Sequence, residues 1–195
     1  MVWGVLTPVG FGQFFPHGEF DDEKSFYPEA DKYKLDLGPV SEAMQPRTFR
    51  IVRGGKSLAA MIESMGGLLL VAEEVRRAIE RVEPGVHQFW PVEVFHANGE
   101  RSAYRYHALV IRQFRDAVIE EKSDVRVRSD SGNLSCHPTK ANVKALTLSS
   151  ERIGDAHLWR DERLLSVNVF MSNALQSAIA ETGLKIMPHA RTKIA

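Results

Sequence analysis

The stretch LLLVAEEVRRAIERVEPGVHQFWP, residues 68–91, constrains the fold more than any other part of the chain. Leu68–Val71 is a short apolar run. Val71, Val75, Ala78, Ile79 and Val82 then recur at spacings of four, three, one and three. That is one face of a helix. Glu73 and Glu74 fall in its first turn, where the helix dipole favours acids. Pro84-Gly85 stops it. Beyond the stop the period changes to two. Phe89, Glu93 and Phe95 lie on one parity, and Trp90, Val92 and Val94 on the other, as a strand requires. Pro91 has no N–H to give a ladder, which predicts an edge strand or a strand starting at Val92.

The rest of the chain is read by the same rules. Asn98-Gly99 is a hairpin signal, with Tyr104–Ile111 as the returning strand. Residues 112–123 fit helix or strand equally. Residues 124–141 are polar and read as a loop. Val143–Leu148, Ala156–Arg160 and Leu164–Met171 are predicted strands. KSLAAMIESM, before Gly66-Gly67, predicts a short helix over 56–65. The first 50 residues read as irregular, with Pro28, Pro39 and Pro46 as breakers. The expected fold is α+β with mixed sheets. Parallel α/β is the alternative, and it would need more regular alternation than residues 92–160 offer. The expected organisation is a loop-rich segment, 1–67, packed on a main domain, 68–195, as one structural unit.

A second stretch, VNVFMSNALQSAIAETGLKIMP from Val167, repeats the first pattern. Val71 aligns with Met171, Ala72 with Ser172, Val75 with Leu175, and Ala78-Ile79 with Ala178-Ile179. Gly85 matches Gly183, and Pro91 matches Pro188. Two pseudo-repeated strand-helix-strand units are therefore expected. This order resembles the immunity proteins of bacterial polymorphic toxin systems, a family formerly described as a domain of unknown function. LLLVAEEVRRAIE resembles its first strand-to-helix motif and HQFWPVEV the segment after it. RDAVIEEKS resembles a central segment. HLWRDERL followed by VFMSNALQSAIAETGL is similar to its most telling part. The resemblance covers about Leu68–Met187. Ala72 departs from it, standing where a helix-capping Ser is expected.

Composition narrows the chemistry. Lys+Arg and Asp+Glu both number 25 in 195 residues, so net charge is zero. A nucleic-acid binder usually carries a basic surplus, and a nucleic-acid mimic an acidic one. Cys136 is the single cysteine, which fits a reducing compartment. The apolar start lacks an early Lys or Arg and a cleavage pattern, so no signal peptide and a cytoplasmic location are expected. RGGKS at 53–57 resembles a phosphate loop, but Arg50 stands where that motif needs a Gly. No His or Cys spacing matches a metal site, so no metal and no cofactor are expected. Cys136-His137 are adjacent and poorly placed for nucleophile and base. Ser172 reads as a helix cap. Arg101, Arg105, Arg112 and Arg115 lie among aromatics, but Asp116, Glu120, Glu121 and Asp124 offset their field. No catalytic group is assigned.

The resemblance implies a function. A chain of this family would bind one cognate toxin domain, encoded by a neighbouring gene, and block it without turnover. Glu19, Asp21, Asp22 and Glu23 form an acidic run that would suit a basic nuclease cleft, although a solvated loop explains the same charges. Two other classes remain open at this point. A small enzyme would show a pocket of convergent titratable groups. A nucleic-acid-binding regulator would show a coherent basic face.

Overall fold

A computed structural model describes residues 1–21, 39–53, 57–165 and 168–195. The chain begins with β1 (Val2–Val5), β2 (His17–Phe20), β3 (Thr48–Arg53), β4 (Met61–Glu63) and β5 (Leu69–Ala72). Helix α1 (Glu73–Val82) follows, then β6 (Gln88–Phe95), β7 (Tyr106–Val110) and β8 (Phe114–Arg115). A polar excursion holds β9 (Arg126–Val127) and β10 (Leu134–Ser135), followed by α2 (Lys140–Ala145), β11 (Thr147–Leu148) and α3 (Ser150–Ile153). The chain closes with β12 (Leu158–Asp161), β13 (Val169–Ser172), α4 (Asn173–Ala180), β14 (His189–Arg191) and β15 (Lys193–Ile194).

The strands build two main sheets. One runs β2-β3-β6-β7-β5-β4, antiparallel except where β3 meets β6. The other runs β14-β1-β13-β12-β8, antiparallel except where β12 meets β8. The fold is α+β, with mixed sheets.

Alternation along the strands sorts side chains into layers. Leu69 and Val71 of β5, and Val169 and Met171 of β13, pack with Val75, Ala78 and Ile79 of α1 and Leu175, Ala178 and Ile179 of α4. Each sheet thus turns one face onto the helix pair. Its opposite face is also buried. Leu70 joins Phe49, Ile62, Trp90 and Tyr106, while Phe170 joins Trp159, Leu146 and Leu148. Burying each Leu, Ile or Phe contributes about 1.5–3 kcal/mol. Arg81 and Glu181 add an exposed bridge of 3.0 Å between the helices, which contributes little beside the apolar contact.

Several elements differ from the sequence expectation. Where a helix over 56–65 is expected, Met61–Glu63 forms β4, paired with β5 through Met61↔Val71 and Ile62↔Leu70, and Lys56 lies outside the described residues. Ala59, Ala60, Met61 and Ile62 are all buried, so the segment has no wet face for an amphipathic helix. Residues 140–145 form α2 where a strand over 143–148 was predicted. Thr139 Oγ1 accepts from Asn142 N–H at 3.2 Å and caps that helix. Val143 and Leu146, three apart, both turn inward. β6 is an interior strand, not an edge. Pro91 fits because Glu93 N–H donates toward the β3 side, to Arg47 O at 2.8 Å. The Pro91 nitrogen shares that direction and lies before the β3 ladder begins at Thr48↔Glu93. The 124–141 excursion folds back as the β9–β10 hairpin. The irregular N-terminus supplies β1, which lies between β13 and β14.

Strand β5 runs straight into α1 and β13 straight into α4. Gly85 (φ +70°) and Gly183 (φ +68°) follow the helices in the left-handed region that favours glycine. Beyond the glycines the paths diverge. β6 starts at Gln88, before Pro91, whereas β14 starts at His189, after Pro188. Val167 lies outside the described residues. At the helix starts, Ser172 Oγ accepts from Leu175 N–H at 3.1 Å. Ala72 has no side-chain acceptor, but Glu73 N–H donates to Arg105 O at 2.9 Å. A neighbouring strand end therefore satisfies one of the orphan donors at that helix start.

Candidate functional site

The loop before β2 carries exposed apolar groups. Backbone bonds fasten the loop before this strand to β4 and its approach. Ala59 N–H reaches Gln13 O at 3.0 Å, and Glu63 N–H reaches Phe14 O at 2.9 Å. The loop tip stays in solvent, with Val9 86% and Phe11 53% exposed. The Phe11 ring stacks on Phe15 and on His17, with centroids 5.4 and 4.7 Å away.

Along β2, Gly18 and Phe20 face inward while Glu19 and the following Asp21 are exposed. Asp21 accepts from Arg50 Nε at 2.8 Å, and the Arg50 guanidinium lies 4.9 Å from the Phe95 ring centroid. Gly18 is required here. A Cβ on it would meet Arg50 O and the Phe49 ring at 2.6 Å. Of the four acidic residues singled out in the sequence, Glu19 and Asp21 lie on this face, and Asp22 and Glu23 lie outside the described residues.

Two buried carboxylates tie distant segments of the framework together. Glu83, just past α1, has 6% of its surface exposed. Its oxygens accept from His87 Nε2 at 2.9 Å, Gln113 Nε2 at 2.5 Å, His157 N–H at 2.6 Å and Leu158 N–H at 2.8 Å. Arg112 N–H donates to His87 Nδ1 at 3.3 Å, so the proton of the neutral ring sits on Nε2 and is given to Glu83. Burial pushes the Glu83 carboxyl upward. The hydrogen bonds from His87, His157 and Gln113 outweigh it and hold the group below its ordinary range. One side chain thereby ties the end of α1 to the start of β6 and to β12.

Asp161, 1% exposed, does the same within the other sheet. It accepts backbone N–H bonds from Ala117, Val118, Arg163 and Leu164 at 3.0–3.3 Å. Arg163 then braces the same loop through Asp116 at 2.7 Å and Val118 O at 3.1 Å. The HLWRDERL motif is thus architectural. His157 Nδ1 meets Ser172 Oγ at 2.7 Å, Trp159 stacks on Phe170 at 5.8 Å, and Asp161 gathers the loop. The roles of Glu83 and Asp161 were missed in the sequence. A lone acid beside Pro84-Gly85 carries no local signal of a bond partner 74 residues away.

The residues weighed for chemistry take up structural positions. Cys136 is buried, and its thiol is pushed up by burial, the opposite of an activated nucleophile. Ser172 Oγ caps α4 and is shared with His157 at the rim of a depression of about 300 Å³. Arg101 pairs with Glu93 at 2.7 Å, and Arg115 turns to Ile153 O at 3.1 Å and to Gln113 Oε1 at 2.9 Å. These two do not join one basic face. Among the described residues, no three His, Cys, Asp or Glu side chains converge to hold a metal. Gly54, Gly55 and Lys56 of RGGKS lie outside the described residues. No helix among them is long and apolar enough to cross a membrane.

The described residues combine a framework braced by buried carboxylates with an aromatic loop tip beside an acidic strand. The chain matches the model of the Imm11 immunity protein family over residues 17–189, and it belongs to that family. The match includes β2 and β3, beyond the 68–187 span on which the sequence resemblance rested. A search of curated proteins gives no match.

Proposed function

We propose that this protein binds one cognate bacterial toxin domain and neutralises it by stoichiometric blocking. Membership of the immunity family over residues 17–189 carries this reading. The toxin is encoded by a neighbouring gene, and the encounter takes place in the cytoplasm. The contact surface is centred on Phe11, His17, Glu19 and Asp21, and the acidic run goes on in the sequence with Asp22 and Glu23. Phe11 offers an exposed aromatic anchor of the kind that dominates interfaces. The adjoining carboxylates suit a basic cleft and would speed encounter.

A toxin lethal at low copy number demands slow release. Nanomolar affinity corresponds to about −12 kcal/mol and normally needs about 800 Å² on each partner. The test expresses the neighbouring reading frame in a sensitive bacterium with and without this protein, and then titrates the purified chains. Rescue with a one-to-one complex is expected. A harmless neighbour, or a toxic one that shows no binding at micromolar concentration, overturns the proposal. Rescue far below one equivalent would replace blocking with catalysis.

A further inference from the structure

Ser172 and His157 meet at the rim of the depression of about 300 Å³. Ser172 is the last residue of β13, and His157 lies immediately before β12. The two stand opposite each other, one step beyond the antiparallel Leu158↔Met171 pair. Ser172 N–H donates to His157 O at 2.8 Å, and His157 Nδ1 lies 2.7 Å from Ser172 Oγ. The buried Glu83 carboxylate accepts the His157 N–H at 2.6 Å and so fixes the backbone that carries the imidazole. Val2, Ile153, Ala156 and Ile194 supply apolar surface in the same depression, and Asp155 stands exposed there.

Capping explains only part of this arrangement. Leu175 N–H, in the first turn of α4, donates to Ser172 Oγ at 3.1 Å, and that bond alone serves the helix start. The imidazole adds a group that can take the hydroxyl proton. A hydroxyl within hydrogen-bond reach of a base is the arrangement that activates a serine as a nucleophile. Negative charge developing on Oγ is favoured here, because the partial positive charge of the helix start lies beside it. An acyl group bonded to Oγ brings its own oxyanion next to the same pole, where fixed dipoles stabilise it.

We propose that Ser172 and His157 hydrolyse short-chain carboxylic esters. Ser172 Oγ attacks the ester carbonyl carbon, and its proton passes to His157 Nδ1. The bond from that carbon to the alkoxy oxygen breaks, the proton leaves with the alcohol, and the acyl group stays on Oγ. Water then attacks the acyl carbon and gives a proton to Nδ1. The bond from Oγ to the acyl carbon breaks, Oγ recovers the proton, and the carboxylic acid departs. One ester and one water give one acid and one alcohol. The apolar lining suits a short acyl chain, and the Asp155 carboxylate disfavours an anionic substrate. The reaction needs no toxin and stands or falls independently of the toxin reading.

The full chain is incubated with p-nitrophenyl acetate and p-nitrophenyl butyrate, and separately with an alkyl fluorophosphonate that labels activated serines. Ester turnover and a single adduct are expected, with peptide mass mapping placing the adduct on Ser172. Ser172→Asn keeps a good capping acceptor and removes the nucleophile. It should abolish labelling and turnover while the circular dichroism spectrum stays that of the parent. His157→Gln removes the base and should slow both labelling and turnover by about 100-fold or more. Absence of a Ser172 adduct overturns the proposal, even where surface side chains hydrolyse the ester. So does a folded Ser172→Asn or His157→Gln that keeps the turnover of the parent. If neither variant folds, the mapping of the adduct on the unaltered protein decides alone.

Discussion

Glu83 illustrates how much one side chain carries. Its carboxylate receives two side-chain and two backbone donors. Glu83→Gln puts an amide N–H against some of those donors and should cost about 2 kcal/mol or more at neutral pH, because bonds to a charged acceptor are each worth about 1.5–3 kcal/mol. The pH dependence has a definite sign. The folded group is held below its ordinary range, so its contribution is complete above the unfolded pKa and is lost as pH falls through the folded one. Urea melts of parent and variant should therefore differ at pH 7 and converge as pH drops below about 4. A difference that persists unchanged into acid would refute the assignment. Asp161→Ala removes an acceptor of four backbone donors, and the same melts should show a loss of at least about 3 kcal/mol.

At the scale of elements, the apolar helix faces were legible from spacing. Ile79 and Ile179 are 2% and 4% exposed, and both lie in the layer between the sheets. Ile79→Ala and Ile179→Ala should each cost about 2–5 kcal/mol in chemical denaturation. The two helix starts are held differently, and Ser172→Ala should lose about 1 kcal/mol as a cap. Strand β2 gives a further test. It bulges between His17 and Gly18 as it pairs with β3. Because a Cβ on Gly18 meets backbone at 2.6 Å, Gly18→Ala should cost about 1–3 kcal/mol by overpacking. It should also weaken partner binding, and a titration unaffected by it would move the contact surface elsewhere. β4 and α2 were misread because local period was the only guide. Burial on all sides of 59–62 favours a strand, and a Thr139 cap favours a helix, and neither is a matter of alternation.

At the scale of the whole molecule, the N-terminal strand is the most demanding element. β1 bonds to β13 on one side and to β14 on the other. A chain beginning at residue 17 retains the whole family match, yet it leaves a gap in the five-stranded sheet and exposes Phe170 and Val169 beside it. Such a chain should show no cooperative thermal unfolding, and full cooperativity in it would show that the segment is dispensable. The layered core also predicts that the parent unfolds in one step, with fluorescence and circular dichroism transitions coinciding.

The sequence by itself determined the elements whose signal is local. These are α1 and α4, the strands leading into them, the glycine stops after them, the 98–99 turn and the α+β class. Each follows from a periodicity or a backbone preference expressed within a few residues. The family was legible for the same reason, through short motifs in a fixed order. What only the tertiary structure decided is how distant segments complete one another. Arg105 serves the uncapped start of α1, β1 fills the middle of a sheet, and Glu83 binds a strand far along the chain. His157 and Ser172 meet across neighbouring strands. Hydrogen bonding and charge act through space at about 3 Å, and separation along the chain carries no record of which groups the fold will bring that close.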